Sequence, residues 1–171
     1  AAEKPVLLTL GGSDVWLWDN AGWERVQEHL AQTSREFDVD FVTIKTRFRS
    51  FLSEKKLCAR VVASGDNWWH GFQHGLGIIS HAAPVAFSLG LTTMYIASSF
   101  TIAEKGRITC ASDPAIDNFV RFCGARIVHD GYEYNRQQKV HHITQHAKNT
   151  GRKIALRVCW QSAGGSNCCN C

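Results

Sequence analysis

Three sets of side chains in this sequence stand at spacings that could do chemistry. Gly12 and Asp14 lie in the segment LGGSD at residues 10–14, where glycines at a strand end can bring backbone N–H groups up to an anion. Arg47 leaves a second apolar run where that anion would sit, so it is a candidate to face it. Seven cysteines form the second set, and Cys168, Cys169 and Cys171 crowd the last four positions. In a reducing compartment such clustering points to metal ligation before disulfides, whereas the isolated Cys58, Cys110 and Cys123 read as small, half-buried side chains. Third come His70, His74 and His81, of which the first two are four apart and would share a helix face. No carboxylate stands at the spacing a zinc protease needs, so these read as a helix N-terminus and a hydrogen-bonded core histidine.

Elements must hold these residues in place. Residues 6–10 are apolar and stopped by Gly11 and Gly12, which predicts a buried parallel strand. Trp23, Val26, Leu30 and Phe37 recur at near-helical spacing, which predicts an amphipathic helix starting near Ala21. The β-branched alternation over 39–44 predicts the next strand, with 47–56 as its polar exit. Residues 75–89 are almost wholly small or apolar and predict a helix buried on most sides, closed by Gly90 and loosened or kinked at Pro84. Further strands are expected over 92–97, 125–128 and 155–159, and helices over 117–122 and 137–148, with a polar loop over 98–114. Strands separated by helices in this order predict an α/β fold, a parallel sheet with helices on both faces.

In such a sheet ligands sit outside the carboxyl ends of the strands. The loops after Leu10, Ile44 and Ala97 are therefore where a site belongs, and they hold Gly12, Asp14, Arg47 and the pair Ser98 and Ser99. Trp16, Trp18, Trp23, Trp68 and Trp69 are destined for the core, or, if exposed at strand ends, for an aromatic patch serving as a base pocket or an interface.

With 171 residues, 44% of them hydrophobic, the chain is the size of one compact domain. No run approaches the roughly 20 apolar residues that span a bilayer, and residues 1–5 lack the build of a signal peptide, so a cytoplasmic location is expected. A net charge of +4 carried by scattered Lys and Arg does not point to nucleic acid.

Taken in order, HGFQHG at 70–75, SSF at 98–100, VHDGYEYNRQQK at 128–139, LRVCW at 156–160 and NCCNC at 167–171 resemble one family over nearly the whole chain. It is the PP-loop family of adenine nucleotide α-hydrolase-like proteins, the N-type ATP pyrophosphatases, relatives of 7-cyano-7-deazaguanine synthase. The resemblance implies a Rossmann-like (HUP-type) sheet that binds ATP with Mg²⁺, adenylates an oxygen of a small-molecule substrate and releases pyrophosphate. It implies that His74 and Gly75 open a helix beside the nucleotide and that Arg136 and Lys139 stand near the phosphates. Gly12, Asp14, Ser98 and Ser99 would hold the adenosine, and Asp113 and Asp117 are candidates for substrate or Mg²⁺, although an Asp-Pro pair more often starts a turn or helix. Cys159, Cys168 and Cys171 match three of the four thiolates of the family's zinc site, the fourth falling beyond the last residue. Residues 1–155 would be the nucleotide domain and 156–171 a cysteine-rich, zinc-knuckle-like tail.

One departure from the family pattern decides what to expect of the chemistry. The family's S-G-G-x-D-S loop runs straight into its helix, so that free N–H groups hold the pyrophosphate. LGGSDV at 10–15 imitates it, but Leu10 and Val15 replace both serines and the bulky VWLWDN at 15–20 intervenes before the helix. The segment reads as the end of the family's second strand, with the sheet lacking its first βα unit. Two functions are thus left open. One is a nucleotide-binding domain of adenylating ancestry that does not turn over as this chain, and the other is a non-catalytic domain that self-associates through the sheet edge so exposed.

Overall fold

Residues 4–154 are described by the structure, a computed structural model. They divide into two compact units, residues 4–52 with 146–154 and residues 53–145, and each has its own small sheet.

In the first unit β1 (Val6–Gly11) pairs in parallel with β2 (Asp40–Lys45), in register from Val6 opposite Asp40 to Gly11 opposite Lys45. Parallel neighbours need a crossover, and α1 (Asn20–Phe37) provides it. Asp19 starts this helix, its carboxylate accepting from the Gly22 N–H at 2.9 Å. Asp38 ends it in a left-handed conformation, φ 51°, from which its N–H reaches the Ser34 carbonyl. Trp23, Val26 and Leu30 form the buried stripe of α1 and pack with Val15, each burial contributing about 1.5–3 kcal/mol. The Trp23 ring lies against Gly11, where an added Cβ would stand 2.8 Å from it.

The polar stretch 47–56 is not a loop, which corrects the expectation from its composition. It carries α2 (Phe48–Phe51) and the start of α3 (Glu54–Val61). No glycine or proline interrupts residues 47–61, so the lysines and arginines decorate short helices rather than an extended exit.

The second unit runs through a π-helical turn (Trp69–Gln73) directly into α4 (His74–Ser88). HGFQHG is therefore helical throughout, with the His74 N–H bonded to the Trp69 carbonyl. Beyond α4, β3 (Thr93–Ala97) pairs in parallel with β5 (Ala125–Asp130). The helix expected over 117–122 is corrected. α5 (Pro114–Asp117) starts earlier because Asp113 caps it, accepting from the Ala115 N–H at 2.7 Å, with Pro114 at the first helical position. Arg121 and Phe122 then form β4, antiparallel to β5. Cys123 and Gly124 turn the chain between them with φ of 47° and 84°, the positive pair that a two-residue hairpin of matching twist requires. Ile79 of α4, Ile96 of β3 and Ile127 of β5 make the core of this unit, with Met94, Val120 and Phe122 against it. α6 (Arg136–Thr150) begins in the second unit and ends in the first.

The class is α/β. The described strands form two sheets, of two and three strands, rather than one continuous parallel sheet, and β4 is antiparallel. Among the described residues no helix is long and apolar enough to cross a membrane. The strand expected over 155–159 and the tail at 156–171 lie outside the described residues.

Candidate functional site

At the carboxyl ends of β1 and β2 the two connections are pressed together. Gly12 has φ of 89°, and a Cβ there would run into the Thr46 carbonyl oxygen, so both conformation and space demand glycine. The Thr46 N–H in turn bonds the Gly11 carbonyl at 2.9 Å. Gly12 closes its own turn, its N–H donating to the Val15 carbonyl at 2.8 Å. At the start of α1 the Gly22 N–H donates to the Asp19 carboxylate at 2.9 Å. Neither feature that usually receives a phosphate, a free glycine loop or an uncapped helix start, is on offer in this segment.

What the connections build instead is a cleft of about 400 Å³. Gly12, Trp16, Leu17 and Trp18 line it from the first connection, and Thr46, Arg47 and Ser50 from the second. The Trp16 and Trp18 rings stack with centroids 4.7 Å apart and planes 11° from parallel, and Trp18 is 67% exposed. The Arg49 guanidinium lies 5.7 Å from the Trp16 ring centroid, donates to the Ser13 carbonyl at 3.1 Å and sits 3.9 Å from Asp14. Arg47 is exposed, and its guanidinium has no ion-pair partner among the described residues. The Ser50 hydroxyl bonds the Arg47 carbonyl at 2.9 Å, so α2 fixes the backbone that presents this arginine. The arrangement offers a π-surface, a charged fork and two hydroxyls in a volume of small-ligand size.

Of the residues singled out from sequence, Gly12 and Arg47 thus meet in one cleft, and Asp14 stands outside its lining beside Arg49. Trp16 and Trp18 were legible only as a possible aromatic patch, and Arg49 as one cation of RFRSFL. The W-x-W spacing and the second arginine were the signal.

The other candidates fall in the second unit. Ser98 is buried, its N–H bonded to the Asp130 carbonyl at 2.8 Å and its hydroxyl to the Phe100 carbonyl, and Ser99 is exposed. Lys139 Nζ donates to the Ser98 carbonyl at 2.6 Å, and its aliphatic chain passes Gly131. Burial holds this ammonium below its ordinary value, and Arg136 adds to the shift, while Glu133 and Asp130 oppose it. Arg136 itself is exposed at the first position of α6.

His74 Nδ1 lies 3.5 Å from the Cys110 sulfur, and its ring meets Trp69 edge-on. Burial pushes the Cys110 thiol up, and the carboxylates of Asp117, Asp66 and Asp113 push it further against the Ser112 N–H. The space beside Gly75 is filled by the chain itself, since an added Cβ would stand 2.6 Å from the Ala111 carbonyl oxygen and 2.9 Å from Asp117 Oδ1. Asp113 caps α5. Asp117 is fully buried, its Oδ2 accepting from the Ser112 hydroxyl at 2.8 Å and lying 2.8 Å from His129 Nδ1.

Among the described residues no group of three or more His, Cys, Asp or Glu side chains could hold a metal ion. Cys159, Cys168 and Cys171 lie outside the described residues. Comparison with protein-family models, with curated proteins and with solved structures returned no match to this chain.

Proposed function

We propose that this chain is a nucleotide-binding α/β domain that holds its ligand in the cleft at the carboxyl ends of β1 and β2. The observation that carries the reading is the cleft itself, where a stacked tryptophan pair and an arginine with no ion-pair partner among the described residues line one volume of about 400 Å³. A nucleotide has the two complementary parts, a flat ring that stacks on an indole and an anion that suits a guanidinium fork. The position supports it too, because crevices at the carboxyl ends of parallel strands are where α/β proteins bind ligands. The resemblance to the ATP pyrophosphatase family, on HGFQHG, SSF and HDGYEYNRQQK, makes adenine nucleotide the first ligand to try and a Rossmann-like ancestry the natural one.

Release of pyrophosphate is not part of the proposal for this chain. The Gly12 N–H is bonded to the Val15 carbonyl and the Gly22 N–H of α1 to the Asp19 carboxylate, so neither of these donors is presented to a β,γ-phosphate pair. Calorimetry with adenine nucleotides, run beside a pyrophosphate-release assay with ATP and Mg²⁺, tests both halves. Heat of binding without pyrophosphate is expected. Robust release would mean that the phosphates are held elsewhere, and no heat with any nucleotide would remove the reading.

A second reading, self-association on the same scaffold, has its own observation. Among the described residues β1 and β2 hydrogen-bond as strands only to each other, so each has one edge without a strand partner there, and such an edge suits pairing with another chain.

A further inference from the structure

Resting on the nucleotide reading of the β1–β2 cleft, we infer that its ligand carries one phosphate: the site is built for a nucleoside monophosphate rather than a triphosphate. The inference comes from counting the charge that faces the cleft. Among the lining residues only Arg47 is charged, and it has no ion-pair partner among the described residues. Arg49, the nearest alternative, is committed. It donates to the Ser13 carbonyl, lies beside Asp14 and covers the Trp16 ring. The start of α1, the other local source of positive potential, is closed by Asp19.

A phosphate monoester carries roughly 1.5 to 2 negative charges at neutral pH and three acceptor oxygens. One guanidinium can take two of those oxygens side by side, which leaves the third to solvent. A second and third phosphate would bring further negative charge to a wall with no further cation among its lining residues. They would stay in solvent and add nothing to affinity.

The ring has an equally definite place. Trp16 is already stacked against Trp18 and covered by Arg49, so the surface left for a ligand is that of the exposed Trp18. A base laid there extends the series of stacked groups by one. Arg49 acts in this scheme as a positioning residue that holds Trp16 without touching the ligand.

Quenching of tryptophan fluorescence by adenosine, AMP and ATP with Mg²⁺ tests the inference on the unmodified chain. AMP is expected to bind roughly ten- to a hundredfold more tightly than adenosine, the ratio one charge-assisted contact supplies. ATP should match AMP within about threefold. Arg47→Gln should bring AMP down to the adenosine value while leaving adenosine unchanged, and Trp18→Ala should weaken all three ligands by about tenfold or more. Circular dichroism confirms that each variant is folded, and the ligand series on the unmodified chain needs no variant. ATP binding more than threefold tighter than AMP, or AMP no tighter than adenosine, overturns the single-phosphate inference and leaves nucleotide binding standing. Quenching by none of the three sinks the nucleotide reading itself.

Discussion

Asp66 shows how a single side chain ties sequence to pH response. It lies ahead of the π-helical turn, where Asn67 N–H donates to one of its oxygens at 2.7 Å, His70 Nδ1 reaches the other at 2.9 Å, and Thr109 joins that oxygen at 3.2 Å. Burial pushes the Asp66 carboxyl up, but the hydrogen bonds of His70, Asn67 and Thr109, with the charge of His70, outweigh it and leave the group below its ordinary 3.8. A depressed folded value means that the stabilisation is fully present above the ordinary value and disappears as pH falls through the depressed one. Thermal melts between about pH 5 and pH 2 should therefore show an acid limb that is shallower in Asp66→Asn than in the parent chain. Equal slopes would mean that the cluster contributes nothing to acid stability. Only the i,i+4 spacing of Asp66 and His70 is a sequence signal, and one that needs the stretch to be helical, whereas Thr109 meets Asp66 through the fold alone. Arg47 was legible for the opposite reason. Its importance depends on leaving a strand at its carboxyl end, and strand ends can be read from a β-branched run. Asp117 was legible as a residue but not as to role, since nothing local announces that Ser112 and His129 close over it.

Among elements, the long ones with a strong period, β1, α1, β2, α4 and α6, stand close to where hydrophobic spacing puts them. The short ones do not. α5 is set by its Asp113 cap, α2 and α3 by the absence of breakers, and β4 exists because Cys123 and Gly124 accept positive φ. Such local signals carry little pattern of their own. α4 offers a measurable case of packing that propensity alone would misjudge. Gly75 and Gly77 both interrupt a helix, where alanine is favoured over glycine by about 1 kcal/mol. At Gly75 the added Cβ meets backbone, the Ala111 carbonyl oxygen at 2.6 Å and Ser112 Cα at 2.8 Å. At Gly77 it meets only side chains, Trp69 at 3.3 Å and Gln73 at 3.4 Å. Gly75→Ala should cost about 1–3 kcal/mol through overpacking, while Gly77→Ala stays within about 1 kcal/mol of the parent. Differential scanning calorimetry separates them, with a Tm fall of several degrees expected for the first alone. Equal melting temperatures would show that the 111–112 segment gives way freely, and that Gly75 is present for some reason other than packing against it.

For the whole molecule, the sequence conveyed the α/β class through the order of strands and helices, but not that the strands would form two small sheets. Pairing partners far apart in the chain leave no periodic trace. That division has a consequence for solution behaviour. A two-stranded parallel sheet is weakly stabilised alone, and among the described residues each of its strands has one edge without a strand partner. β1 has no charged residue among its six positions, so charge offers its edge little protection against pairing, whereas β2 carries Asp40 and Lys45. A reversible, concentration-dependent dimer is expected in sedimentation equilibrium, and a monomer at every concentration would remove the second functional reading. The nucleotide reading proposed for the cleft makes the complementary demand. The cleft is lined entirely from residues 12–50 of one chain, so the AMP dissociation constant should be the same on both sides of the dimerisation midpoint. An affinity that rises with protein concentration would mean that a second copy completes the site. Titrations at two protein concentrations bracketing the midpoint distinguish a domain that binds and also associates from one that binds because it associates.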